Sequence, residues 1–189
     1  MPNGKLFVIS APSGAGKSTL IEAVRPTFPD MLYSVSCTTR KPRENEKEGA
    51  HYYFLDAPRF DDMVRDGAFL EWKEVHGNRY GTPTEPVKSA IGSGRSMILD
   101  IDVQGALQVF AKIDESVGIF ITVPDMAVLE ERLRKRGSDS EESIRIRLGN
   151  ARREIELGAD YRYRIVNDDL DAAVKELAAV IRKELGRRC

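Results

Sequence analysis

Apolar positions along this chain follow two rhythms, short unbroken runs and longer stripes spaced by three or four residues. Leu6-Phe7-Val8-Ile9-Ser10 is apolar up to its last residue. Five residues are too few for a helix, and the run predicts a strand buried on both faces, as in a parallel sheet. Met97-Ile98-Leu99-Asp100-Ile101-Asp102 and Ile119-Phe120-Ile121-Thr122-Val123 repeat the pattern, and Arg164–Asn167 predicts a last strand. Helical stripes alternate with these runs. Leu20, Ile21 and Val24 follow Gly16-Lys17-Ser18-Thr19, and residues 126–136 carry Leu129 and Leu133 with Gly137 as a stop. Ile144, Leu148, Ala151 and Ile155 follow a polar capping loop at 138–142. Leu170, Val174, Leu177, Ile181 and Leu185 line a closing helix capped by Asp168 or Asp169. Strands alternating with helices predict an α/β three-layer sandwich with a parallel core sheet.

The segment from about 35 to 95 reads differently. Tyr33–Thr39 alternates as a single strand, and residues 40–49 form a polar stretch without periodicity that predicts an exposed, mobile loop. Strand-like pieces follow at His51–Leu55, Phe69–Val75 and Arg79–Gly81. A helix is predicted from Pro58 to Asp66, closed by Gly67, and another from Glu85 or Pro86 to Ile91. This is a small mixed unit inserted into the parallel core.

Composition narrows the class. Among 189 residues, Lys plus Arg number 29 and Asp plus Glu 30, so the charges nearly cancel and argue against a generic nucleic-acid binder. No apolar run approaches membrane-spanning length, and the N-terminus lacks a signal-peptide core. Cys37 and Cys189 make neither a disulfide framework nor a metal-ligand spacing, so they read as reduced thiols. A cytoplasmic protein without nucleic-acid or membrane partners is expected, with monomer and homo-oligomer both open.

The chemistry concentrates in Ala11-Pro12-Ser13-Gly14-Ala15-Gly16-Lys17-Ser18-Thr19, between the first strand and the first helix. This is a P-loop. Gly14 and Gly16 let successive backbone N–H groups turn inward around phosphate oxygens, and the helix N-terminus adds the positive end of its dipole. Lys17 is a mobile cation for the β- and γ-phosphates, and the Ser18 hydroxyl is a hard oxygen suited to Mg²⁺. Ala11 stands where the usual pattern has its first glycine. The chain is expected to bind a nucleoside triphosphate. Asp100 and Asp102 end a strand where an acid would help position Mg²⁺. A helix-capping Asp fits the same place. Glu71, within Phe69-Leu70-Glu71-Trp72, is either a surface residue on an alternating strand or a ligand for paired N–H donors, and alternation alone favours the surface. Arg40 and Arg43, with Tyr52 and Tyr80, offer a phosphate site.

In this order, APSGAGKST, SVSCTTRKPR, GAHYYF, FLEWKEVHGNRYGT, ILDIDVQG, RLRKRGSDSEESIRIRL and VNDDL resemble the bacterial-type guanylate kinases, nucleoside monophosphate kinases, over essentially the whole chain. Ala11, Cys37 for a frequent serine, and Thr82 for serine remove no charged or catalytic group. The resemblance implies direct in-line transfer of a phosphoryl group from Mg-ATP to GMP or dGMP. It implies a P-loop core at 1–34, 96–125 and 148–189, a GMP-binding unit at 35–95 and a lid at 126–147. By motif, Arg40, Arg43, Tyr52 and Tyr80 look like the GMP-phosphate clamp. Ser36, Glu71 and Thr82 look like the guanine readers, the two hydroxyls donating to guanine O6. Asp100 and Asp102 look like acids near metal and acceptor, Arg132, Arg136 and Arg147 like lid arginines, and Asn167 like an adenine contact. A kinase for AMP or a phosphorylated sugar, and a non-catalytic binding module of the same fold, are the alternatives; the intact P-loop and arginines oppose the second.

Overall fold

The computed structural model describes residues 4–75, 77–135, 137 and 140–186. Its core is a five-stranded sheet built from β1 (Leu6–Ser10), β2 (Leu32–Tyr33), β7 (Met97–Asp100), β8 (Val117–Thr122) and β9 (Tyr163–Val166). They lie in the order β2-β7-β1-β8-β9, every pair parallel. Successive side chains of β1 feed opposite layers. Phe7 and Ile9 pack with α1 (Lys17–Val24), α5 (Met126–Lys135) and α7 (Leu170–Glu184), whereas Leu6 and Val8 pack with α3 (Thr84–Gly92) and α4 (Val103–Phe110). Burial on both faces is why these strands read as unbroken apolar runs. α6 (Glu141–Leu157) packs through Ala151 on the first face. No described helix is long and apolar enough to cross a membrane.

The second sheet holds β3 (Ser36–Thr38), β4 (Tyr52–Phe54), β5 (Phe69–Val75) and β6 (Asn78–Pro83) in the order β4-β3-β6-β5. A small core of Cys37, Phe60 and Phe69 lies beneath it, where Phe60 of α2 (Ala57–Arg65) stacks on Phe69 at 4.5 Å between centroids.

Two elements differ from the sequence pattern. Tyr33–Thr39 is two strands. β2 pairs with β7 in the core sheet and β3 with β4 and β6 in the second, so the chain changes sheets at Ser34-Val35. Alternation cannot register such a crossing, because both halves keep the same period. Helix α4 occupies residues for which no element was predicted. Its signal was present: Asp102 caps it by accepting from Gly105 N–H at 2.9 Å, and Val103, Ala106 and Val109 recur every three residues. Three other helix starts carry caps of the same kind, Asp56 for α2, Ser140 for α6 and Asp169 for α7.

Candidate active site

The P-loop leaves β1 at the carboxyl edge of the core sheet, where β7 and β8 flank it, the crevice in which open α/β sheets bind ligands. Gly14 and Gly16 adopt φ of 98° and 87°, in the left-handed region that only glycine enters without strain. Gly16 serves a second need. A Cβ there would lie 2.5 Å from Asn167 Nδ2, which donates to Ala15 C=O at 2.8 Å. The buried Asn167 thus ties the end of β9 to the loop. Ala11 sits in the core, 7% exposed, where its methyl packs.

Lys17 Nζ lies 2.5 Å from Asp100 Oδ1 and donates to Ile101 C=O at 2.8 Å. Asp100 is held on its other side by Tyr33, whose hydroxyl donates to Oδ2 at 3.0 Å. Burial and the Asp100 charge push the Tyr33 phenol far above its ordinary value, so it remains a donor. Asp102 is committed differently, capping α4 with Oδ1 and pairing with Lys73 through Oδ2. Of the two acids considered for a metal, Asp102 takes the helix-cap role.

A cavity of about 430 Å³ joins this apparatus to the second sheet, lined by Lys17, Ser18 and Asp100 on one side and Ser36, Tyr52, Glu71 and Tyr80 on the other. Glu71 is buried, 5% exposed, and does not sit on the surface. Burial raises its pKa and nearby Asp102 adds to this, opposed by the Thr82 hydrogen bond and by Lys73. Thr82, fully buried, donates its hydroxyl to Glu71 Oε1 at 2.6 Å. Its proton is therefore spent on the carboxylate, and toward a ligand the Thr82 oxygen presents lone pairs.

Beyond Glu71, Arg40 reaches Tyr80 Oη from Nε at 3.2 Å, Glu46 from Nη2 at 2.7 Å, and stands 5.5 Å from the Tyr52 ring centroid. The hydrogen bond from Arg40, with that from Arg43 N–H, holds Glu46 down to about 2. Arg40, half-buried, is gathered with Tyr52 and Tyr80, whereas the Arg43 side chain is exposed; neither arginine lines the cavity itself. Arg132 donates to Asn167 C=O at 2.9 Å and to Asp168 C=O at 3.4 Å. Arg147 is half-buried on α6, and Arg136 lies outside the described residues. Tyr33 and Lys73 are site residues that sequence reasoning missed. For Lys73 the period of two was signal enough, since it shares a face of β5 with Glu71. A larger cavity of about 530 Å³ opens at the amino ends of the core strands, near Lys5, Phe28 and Arg95, and contains none of these groups.

An anion cradle and a carboxylate-backed cavity sharing one wall make the molecule a P-loop nucleotide-binding protein with room for a second ligand beside the phosphates. A family model described as guanylate kinase matches residues 3–184, and the chain belongs to that family. It is 48% identical over 184 residues to a guanylate kinase of Carboxydothermus hydrogenoformans, covering 97% of this chain and 90% of the relative. With that of Agrobacterium fabrum it is 50% identical over 186 residues, covering 98% and 84%. The crystal structure of guanylate kinase from Anaplasma phagocytophilum superposes with a TM-score of 0.76 at 34% identity, covering 97% of this chain and 87% of that one.

Proposed function

We propose that this protein phosphorylates GMP, and dGMP, at the expense of ATP. The observation that carries this reading is Glu71, a buried carboxylate facing the cavity that also contains Lys17 and Ser18. An ionised carboxylate buried without a cation needs N–H donors. Guanine supplies two side by side, N1–H and the N2 amino group, whereas adenine presents an accepting N1 there. Thr82, its proton given to Glu71, accepts from the N2 amino group, and the half-buried Ser36 remains the hydroxyl that donates to O6.

The rest of the site matches the acceptor's charge. The second phosphate pKa of a monophosphate is near 6, so its attacking oxygen is already unprotonated at pH 7 and needs no general base. Arg40, Tyr52 and Tyr80 hold that phosphate, joined by Arg43 as its loop closes. The P-loop N–H groups and Lys17 hold the ATP phosphates, Lys17 exchanging Asp100 for a phosphate oxygen. Arg132, Arg136 and Arg147 neutralise charge on the transferred group, and Asn167 borders the adenine. Positioning and electrostatics dominate such a transfer. The donor set fits Mg²⁺ held largely by nucleotide oxygens and water: Ser18 and Asp100 offer hard oxygens in one cavity, and among the described residues no three acidic, imidazole or thiol groups are placed to hold a metal ion by themselves. When bound, the ion would neutralise phosphate charge. Closure of the 35–95 unit and of the 126–147 lid would keep water from the transferred group. We place the protein in the cytoplasm, in keeping with the free buried thiol of Cys37.

The test is ADP release from Mg-ATP with GMP, dGMP, AMP, CMP and UMP as acceptors. Fast turnover confined to GMP and dGMP is expected, and a preference for AMP or a pyrimidine nucleotide would overturn the reading.

A further inference from the structure

β5 is an edge strand, and its open side is covered by a helix of the core. Gln108 of α4 accepts from Trp72 N–H at 3.3 Å and donates to Trp72 C=O at 3.2 Å, so one side-chain amide imitates a neighbouring strand. A turn later, Lys112 Nζ donates to Leu70 C=O at 2.5 Å and Phe69 C=O at 3.3 Å. Lys73 of β5 pairs with Asp102, the cap of α4. Between these ties lies Glu71, and opposite it the buried Gly105. A Cβ at Gly105 would stand 2.7 Å from Glu71 Oε2, closer than real Cβ contacts come, and a tight 3.1 Å from its Cδ. Gly105 is inside a helix, where glycine is the poorer choice by propensity. Its φ is not in the left-handed region, so backbone freedom does not account for it. What the missing side chain provides is a notch for a carboxylate.

Resting on the guanine reading of Glu71, we propose that α4 is the positioning wall of the base site, with Gly105 a specificity-determining residue. The Gly105 notch holds Glu71 Oε2 while Thr82 holds Oε1, which leaves one carboxylate orientation before any ligand arrives. Gln108 and Lys112 fix the strand that carries it. A glutamate has three side-chain torsions, and restricting them in advance lowers the ordering cost of binding. The same helix begins three residues after Asp100, the partner of Lys17, so base reader and phosphate apparatus are referenced to one rigid element.

Gly105→Ala separates this role from a structural one, because alanine favours the helix while its methyl displaces Glu71. A misplacement on the order of 1 Å at a reacting or binding group costs roughly 100-fold. The expected result is a loss of that size in kcat/KM for GMP and in the GMP-over-AMP ratio, with KM for ATP unchanged and Tm within a few degrees of the parent. In a Glu71→Ala background, where no carboxylate remains to displace, adding Gly105→Ala should cost less than about threefold, the non-additivity of two residues acting through one contact. Gln108→Leu, which keeps size and removes the amide pair, should raise KM for GMP about tenfold at constant KM for ATP. It is read independently should Gly105→Ala fail to fold. Normal GMP kinetics in either single variant, or an undiminished Gly105→Ala loss in the Glu71→Ala background, would overturn the proposal. Wild type measured in parallel separates the two levels: if it does not prefer GMP, the guanine reading fails, and if it does while the variants match it, only the α4 inference fails.

Discussion

Replacing Glu71 by glutamine removes one charge at nearly constant volume, and the structure says what each new atom meets. Glu71 Oε1 accepts from Thr82 and Oε2 lies against Gly105. If the glutamine oxygen keeps the Thr82 bond, its amino group faces guanine N1–H and N2–H, donor against donor. If the amide turns over, Thr82 must become an acceptor from it, and the Thr82 oxygen can no longer serve the base as before. Two hydrogen bonds to a charged acceptor, each worth roughly 1.5–3 kcal/mol, are replaced by one neutral bond of about 1 kcal/mol. The net loss is about 2–5 kcal/mol, or roughly 30- to 5,000-fold in kcat/KM for GMP. KM for ATP should stay within about threefold, since the P-loop contacts do not include Glu71. The fold should not suffer. Burial raises the Glu71 pKa, Asp102 adds to that, and Thr82 and Lys73 oppose it. A group with a raised folded-state pKa contributes stability that is present at low pH and lost as pH rises through that value. Through Glu71 the unliganded wild type should therefore gain stability on acidification in the window above the ordinary carboxylate value, a component the variant lacks. At pH 8 the variant should be at least as stable as wild type. Wild-type kcat/KM for GMP should fall in the same window as the carboxylate protonates, and the variant lacks that component. Steady-state kinetics with GMP and AMP, with thermal melts from pH 5 to 8, supply both readouts. A variant that keeps its GMP-over-AMP ratio would refute the reasoning, because Glu71 would then not touch the base.

Lys17→Ala should lower kcat by roughly two orders of magnitude or more while GMP binding, followed by calorimetry, stays within a fewfold, and near-normal turnover would remove the P-loop assignment. Adding GMP with a non-hydrolysable ATP analogue should reduce the radius of gyration in small-angle scattering, since the Arg43 side chain is exposed outside the cavity and must travel to reach a phosphate. An unchanged radius would count against closure. Asp102→Ala should lose about 1 kcal/mol of stability relative to Asp102→Asn in urea titrations, because asparagine keeps the α4 cap while both variants lose the Lys73 partner. A kcat for the asparagine variant as low as that of Lys17→Ala would instead put Asp102 at the phosphates.

What the chain determines locally could be read from it directly. β1, the loop and α1 follow from four apolar residues closed by a serine, two glycines in left-handed conformation and a Lys-Ser helix start, and each depends only on near neighbours in sequence. The caps at Asp56, Ser140 and Asp169 are local for the same reason, as each side chain bonds a backbone N–H three residues on. Helix α4 was equally local and went unread, although Asp102 and its stripe of Val103, Ala106 and Val109 were in view. Alternation placed Glu71, Lys73 and Val75 on one face of β5, but which face would be covered was not a property of β5. That was decided when α4, more than thirty residues later in the chain, laid Gly105 against Glu71 and Gln108 along Trp72. The crossing of the chain between sheets at Ser34-Val35 was likewise invisible, because a period of two is indifferent to which neighbours the strand pairs with. The same holds for the division of labour between two aspartates two residues apart: Asp100 faces Lys17 and Tyr33, Asp102 faces Lys73 besides its local cap at Gly105, and only the packing of β7, α1, β2 and β5 around them assigns the distant partners. Backbone conformation and capping are set by neighbours along the chain, whereas the charge, burial and orientation of a functional side chain are set by whatever the fold brings beside it.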